Sequence, residues 1–135
     1  MENSWKSGRK PGGRLYGVLG VRGATSIERD DPDHVKQRVV ELVEEIFKKN
    51  RIDRIISVIF SVTPDVKSMN PATVFRLEFN FSNVPLMCLQ EAVFDDSPGG
   101  IIRVLIIFEG EGGNFVYLHK ARELRRDITW DSRSS

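Results

Sequence analysis

Cysteine is nearly absent from this chain. Cys88 stands alone, so no intrachain disulfide can staple the fold, and a reducing, cytoplasmic compartment is expected. Histidine is as scarce. His34 and His119 are far apart, and with one cysteine they give no metal-ligand spacing and little support for a Cys-His-Asp triad. Neither sign of charge dominates. A net charge of +1 provides no global field for nucleic acid or an anionic membrane. No apolar run approaches the roughly 18 residues of a membrane span, and no apolar h-region follows Met1. Gly17-Val18-Leu19-Gly20-Val21-Arg22-Gly23 is glycine-rich but matches neither a Walker loop nor a dinucleotide fingerprint. No metal and no cofactor is expected.

What remains is an ordinary globular composition. With 135 residues, 40% apolar and 29% charged, the chain can bury the core of one domain. Residues 1–13 are polar, Gly-rich and basic, with Lys6, Arg9 and Lys10 against Glu2, and read as a flexible arm. The alternation from Arg14 to Gly23 predicts a strand, with Ala24 to Arg29 as a connecting loop. Asp30-Asp31-Pro32 carries the signals of a helix start. Val35, Val39, Leu42, Val43, Ile46 and Phe47 form its apolar stripe, which is core packing. Lys48, Lys49 and Arg51 close that helix with the charge its C-terminus prefers.

Arg54 to Val62 reads as a second strand. Asn70-Pro71 opens a short helix that runs to Phe79, with Asn as the cap. Val84 to Gln90 and Ile101 to Phe108 are two further strands, and Glu109 to Gly113 is a flexible loop. Val116 to Leu124 is ambiguous between strand and helix. The order β-α-β-α-β-β-β, with few helices for its strands, predicts an α+β fold with one sheet and helices on one face. The other face also carries apolar residues, so subunit association is expected to cover it.

Two charges stand out in apolar surroundings. Arg103 sits inside Ile101-Ile102-Arg103-Val104-Leu105, and Glu91 follows Cys88-Leu89-Gln90. A charge in such a strand is costly unless it is paired or meets a charged ligand. Arginine offers a carboxylate two parallel donors. Arg22, Arg76 and Arg125 are further candidates, and several arginines in one pocket would select a dicarboxylate. Cys88 reads as a small buried apolar residue rather than a nucleophile.

Together these residues carry a family resemblance. Gly20-Val21-Arg22-Gly23-Ala24-Thr25-Ser26-Ile27-Glu28-Arg29-Asp30 resembles the start of the Bacillus-type chorismate mutases, the AroH class. Ser61-Val62-Thr63-Pro64-Asp65, Pro71-Ala72 with Arg76, and Val84-Pro85-Leu86-Met87-Cys88-Leu89-Gln90-Glu91 follow in the family's order. Ile102-Arg103-Val104, Val116-Tyr117-Leu118 and Leu124-Arg125 complete it. The match covers about residues 15–127. It implies a domain at 14–127 between the arm and a tail at 128–135, with a mixed sheet that trimerises into a pseudo-α/β-barrel.

The resemblance also implies the rearrangement of chorismate to prephenate, on the route to phenylalanine and tyrosine. The implied site has Arg103, Glu91 and Arg22 as its principal charges. Arg103 would stabilise the ether oxygen, Arg22 and Tyr117 would hold carboxylates, and Glu91 and Cys88 would bind the ring hydroxyl. Ala72, Thr73 and Arg76 would come from the neighbouring subunit, and Arg125 would lie near the mouth. Substrate would lie between Glu91 and Arg103, so no direct ion pair between them is expected in the empty protein. The chain departs from the family at Asn70 and Thr73, where an aromatic and a lysine are common, at Met87, and at Arg126. A non-catalytic trimeric small-anion binder and an imine deaminase of the YjgF/RidA type are the alternatives; the ordered set Arg22, Cys88, Glu91 and Arg103 argues against the latter. Deleting residues 1–13 should leave kcat for chorismate consumption unchanged, as read from its ultraviolet absorbance. A large drop would show that the arm reaches the site.

Overall fold

The computed structural model describes Gly8–Arg9 and residues 15–126. Three long strands form its centre: β2 (Leu15–Ser26), β3 (Arg51–Val62) and β5 (Ile101–Gly112). They pair antiparallel in the order β2-β5-β3. The short strand β4 (Leu86–Gln90) adds to β3 in parallel, which makes the sheet mixed. The outer edge of β2 is shared: β1 (Gly8–Arg9) pairs with its first residues and β6 (Val116–Tyr117) with Gly23 and Ala24. The remainder of the 1–13 arm and the 128–135 tail lie outside the described residues.

Helix α1 (Pro32–Lys49) starts where the sequence signals it. The Asp31 side chain accepts from the His34 N–H, and Pro32 occupies the first turn. Its stripe of Val35, Val39, Leu42, Val43 and Ile46 is fully buried. Helix α2 (Pro71–Glu78) is capped by Asn70, whose Oδ1 accepts from the Ala72 N–H. So the asparagine that departs from the family pattern terminates a helix here. Val74 and Phe75 of α2 belong to one core cluster with Val21, Val58, Phe60, Val104, Ile106 and Phe108 of the sheet, with rings of Phe60 and Phe75 6.1 Å apart. Both α-helices therefore cover one face of the sheet.

Several boundaries differ from expectation; β3 begins at Arg51 rather than Arg54, and β4 at Leu86 rather than Val84. Residues Ala24 to Ser26 continue β2, and Glu109 to Gly112 continue β5, where loops were predicted. Both extensions find partners on the facing strand: Ala24 pairs with Arg103, and Glu109 with Val18. Long antiparallel pairing outweighs the local preference of glycines for turns. Arg51 does not close α1, because Asn50 ends the helix and Arg51 begins β3. The ambiguous last segment resolves into β6 followed by a 3-10 helix (His119–Arg125). Its Ala121 is buried with Ala24, Ile101 and Tyr117 at one end of the face opposite the α-helices.

Loops at that end are tied to one another. The Thr63 hydroxyl donates to Asp65 Oδ1 at 2.6 Å and accepts from the Ile101 N–H at 3.0 Å. The Gly100 N–H donates to the Asp65 carboxylate. The end of β3 and the start of β5 are thereby locked in register. These donors, Thr63 first and then Gly100, hold the Asp65 carboxyl below its usual range. A depressed folded-state pKa gives stability that is present above the ordinary value near pH 4 and lost as pH falls through the folded value. Asp65→Asn should therefore cost roughly 1 kcal/mol at pH 7, after allowance for solvent screening. The difference should shrink progressively in urea unfolding as the pH is lowered below about 4.

Candidate active site

Strand register assembles the site. Arg103 on β5 stands opposite Ala24 of β2 on one side and Ser61 of β3 on the other. Arg22 pairs with Leu105, and Ile59 pairs with Leu105 from the far side. Side chains alternate across a sheet. Val104 and Phe60 face the helices, so Arg22, Arg103, Leu105, Ile59 and Ser61 share the opposite face. Tyr117, in register with Ala24, closes one end of the group. Arg22, Ser61, Arg103, Leu105 and Tyr117 line one concavity of about 230 Å³.

Arg22 lies in the middle of β2 rather than at its end, because that strand runs on to Ser26. Gly23 beside it is required by packing. A Cβ there would fall 2.9 Å from Ile46 Cδ1 and 3.0 Å from the Val116 carbonyl oxygen. Without that side chain, α1 and β6 close onto β2, which puts Tyr117 alongside Arg22.

The charges meet directly. Arg103 Nε donates to Glu91 Oε1 at 2.6 Å, and the Ser61 hydroxyl donates to the same oxygen at 3.2 Å. This corrects the expectation that substrate separates Glu91 from Arg103. A guanidinium at the face of the sheet takes the carboxylate within reach. The pair is partly exposed (37% and 20%), so its desolvation cost is modest. Only Nε is used: Nη1 and Nη2 of Arg103 and Oε2 of Glu91 make no hydrogen bond among the described residues. The backbone of Glu91 is held too, its N–H donating to the Val62 carbonyl at 2.8 Å. Arg22 makes no ion pair there; its guanidinium lies 4.9 Å from the centre of the Phe115 ring.

The other candidates are placed differently. Cys88 pairs with Phe60, shares its face, and packs against the core beneath the helices. Its thiol does not line the arginine pocket. Burial raises its pKa above the usual thiol value. Its main chain is another matter. Val58 N–H bonds to Pro85 and Glu91 N–H to Val62, so the odd-numbered residues of β4 bond to β3. The amide and carbonyl of Cys88 then point out from the free edge of β4. Ala72, Thr73 and Arg76 ride on α2, behind the sheet, and Arg76 is exposed. Arg125 ends the 3-10 helix.

A larger groove of about 1020 Å³ runs between α1 and α2. Its charges are largely paired along the surface, Lys36 with Glu78 and Lys48 with Glu45, and no arginine enters it. It reads as a solvated helix seam. Among the described residues no group of three or more His, Cys, Asp or Glu is arranged to hold a metal ion. No helix among them is long and apolar enough to cross a membrane. Ser61 and Phe115 were not singled out from the sequence. Ser61 sits one residue beyond the buried Phe60, and strand parity is the signal that could have found it.

Fold and site together define a class: a single-sheet α+β domain that gathers two arginines in one concavity on the face opposite its α-helices. The chain belongs to the chorismate mutase type I family, whose model matches residues 18–128. It is 31% identical to the chorismate mutase AroH of Bacillus subtilis over 121 residues, covering 83% of this chain and 93% of that one. Similarity to the chorismate mutase AroH of Thermus thermophilus is 33% over 118 residues, covering 82% and 96%. A solved chorismate mutase from Clostridium thermocellum superposes with a TM-score of 0.73 at 30% identity, covering 78% of this chain and 99% of that one.

At pH 8 the Cys88 thiol should react with iodoacetamide more slowly than free cysteine, because burial keeps it protonated and shielded. Cys88→Ser should keep substantial activity, since the thiol faces the core. Complete loss in a folded protein would show that the sulfur acts in the site.

Proposed function

We propose that this chain rearranges chorismate to prephenate, the step that commits carbon toward phenylalanine and tyrosine. Family membership supports the reaction, and the observation that carries the mechanism is the half-used guanidinium of Arg103. The rearrangement is unimolecular: an ether C–O bond breaks as a C–C bond forms, and the ether oxygen gains negative charge. No proton, electron or acyl group has to move to the protein. Catalysis then consists of holding the reactive conformer and placing fixed positive charge at that oxygen.

The residues divide this work. Glu91 takes Arg103 by Nε, which fixes the guanidinium plane and leaves Nη1 and Nη2 for the ether oxygen and a carboxylate. Oε2 of Glu91, with main-chain groups of Cys88, is left for the ring hydroxyl. Substrate thus lies beyond the ion pair rather than within it. Arg22 and Tyr117 hold carboxylate oxygens, and Arg125 approaches from the mouth.

A trimer with sites at the subunit interfaces completes the pocket. In one chain the concavity is about 230 Å³, below the roughly 300–1,000 Å³ usual for such ligands. The face around it is apolar, with Ile59, Leu105 and Ile107 partly exposed and Met87 and Leu89 more so. A neighbouring subunit would cover that face and bring Ala72, Thr73 and Arg76 to the site, with Thr73 as a weaker anion contact than a lysine. The unpaired Cys88 suits a cytoplasmic setting.

Purified protein should accelerate the loss of chorismate absorbance. Absence of acceleration would favour the small-anion binder. Arg103→Lys should lower kcat by about a hundredfold or more, because one ammonium cannot both hold Glu91 and reach the ether oxygen. A near-normal kcat would refute the electrostatic role of Arg103.

A further inference from the structure

We infer that Phe115 is a positioning residue for Arg22, holding that guanidinium ready for a substrate carboxylate. The inference rests on the role proposed above for Arg22. It starts from a deficiency: Arg22 is exposed on the pocket face and has no hydrogen bond or ion pair among the described residues. A long side chain in that state loses rotamer freedom when it captures an anion, which weakens capture. A contact that restrains it among the described residues is the Phe115 ring, 4.9 Å from the guanidinium carbon. Cations are attracted to an aromatic face at that range.

The ring is itself fixed. Immediately before it, the Asn114 N–H donates to Asn50 Oδ1 at 2.8 Å, and Asn50 Nδ2 returns a bond to the Asn114 carbonyl at 3.0 Å. Immediately after it, Val116 pairs with Gly23, the neighbour of Arg22. Phe115 packs in part against both apolar clusters of the fold. The ring is therefore a platform at a set height beside β2. It does not line the concavity, so its influence on substrate passes through Arg22. Stacking leaves the guanidinium edge, with its N–H donors, available to a carboxylate.

Steady-state kinetics on Phe115→Leu, Phe115→Tyr, Arg22→Ala and the double variant Phe115→Leu/Arg22→Ala provide the test. Phe115→Leu should raise KM about fivefold with little change in kcat. Phe115→Tyr should stay near the parent, and Phe115→Leu should add nothing once Arg22 is alanine. Fluorinated phenylalanines at position 115 keep the ring's shape while weakening its negative face, so KM should climb with fluorine number. That series also decides the matter if Phe115→Leu folds poorly. Equal behaviour of Leu, Tyr and fluorinated rings, with Arg22→Ala still raising KM, would overturn the inference alone. An unchanged KM in Arg22→Ala would overturn the Arg22 role and the inference with it.

Discussion

The hydrogen bond from Arg103 Nε to Glu91 Oε1 is the contact around which the site is organised. It sets the plane of a guanidinium that would otherwise sweep through the concavity, and it leaves Nη1 and Nη2 without a hydrogen bond among the described residues. The contact depends on strand register. Glu91 reaches Arg103 because β4 lies beside β3 in parallel, with Glu91 N–H on the Val62 carbonyl, and because β3 puts Ser61 directly opposite Arg103. Ser61 then steadies the shared carboxylate oxygen. A one-residue slip of β5 would turn Arg103 toward the helices and destroy both core and site.

The fold invests in that register away from the chemistry. Thr63, Asp65 and Gly100 tie the loops flanking β3 and β5, and the buried face of Val58, Phe60, Val104, Ile106 and Phe108 penalises any slip. On the other flank, Gly23 allows β6 and α1 to close on β2 and carries Tyr117 into place. One layer of α-helices backs the sheet, and both arginines stand on the opposite face, lining one concavity. An electrostatic mechanism suits such a platform, because it needs fixed charge rather than a mobile nucleophile.

Much of this was legible in the sequence, and the parts that were not have physical reasons. Helix α1 announced itself through Asp31, Pro32 and a clean apolar stripe. Arg103 was conspicuous because an arginine interrupts a run of Ile, Val and Leu. The extension of β5 through Glu109 to Gly112 was hidden, since glycine and acidic residues prefer turns and only the partner strand overrides them. The orientation of Cys88 was hidden for a different reason: Leu86, Met87, Cys88 and Leu89 are apolar on both faces of β4, so nothing in the pattern betrays parity. The Arg103–Glu91 contact joins β5 to the residue just past the end of β4, a strand with which β5 never pairs, and only the assembled sheet brings them together.

The most direct test of the central contact is a double-mutant cycle on kcat with Glu91→Gln, Arg103→Lys and the double variant. If Glu91 works chiefly by holding Arg103, the losses should be non-additive: the double variant should lose clearly less than the two single losses combined, the remainder being the Glu91 contact to the ring hydroxyl. Additive losses would show that the two residues act on substrate independently and would contradict the shared geometry.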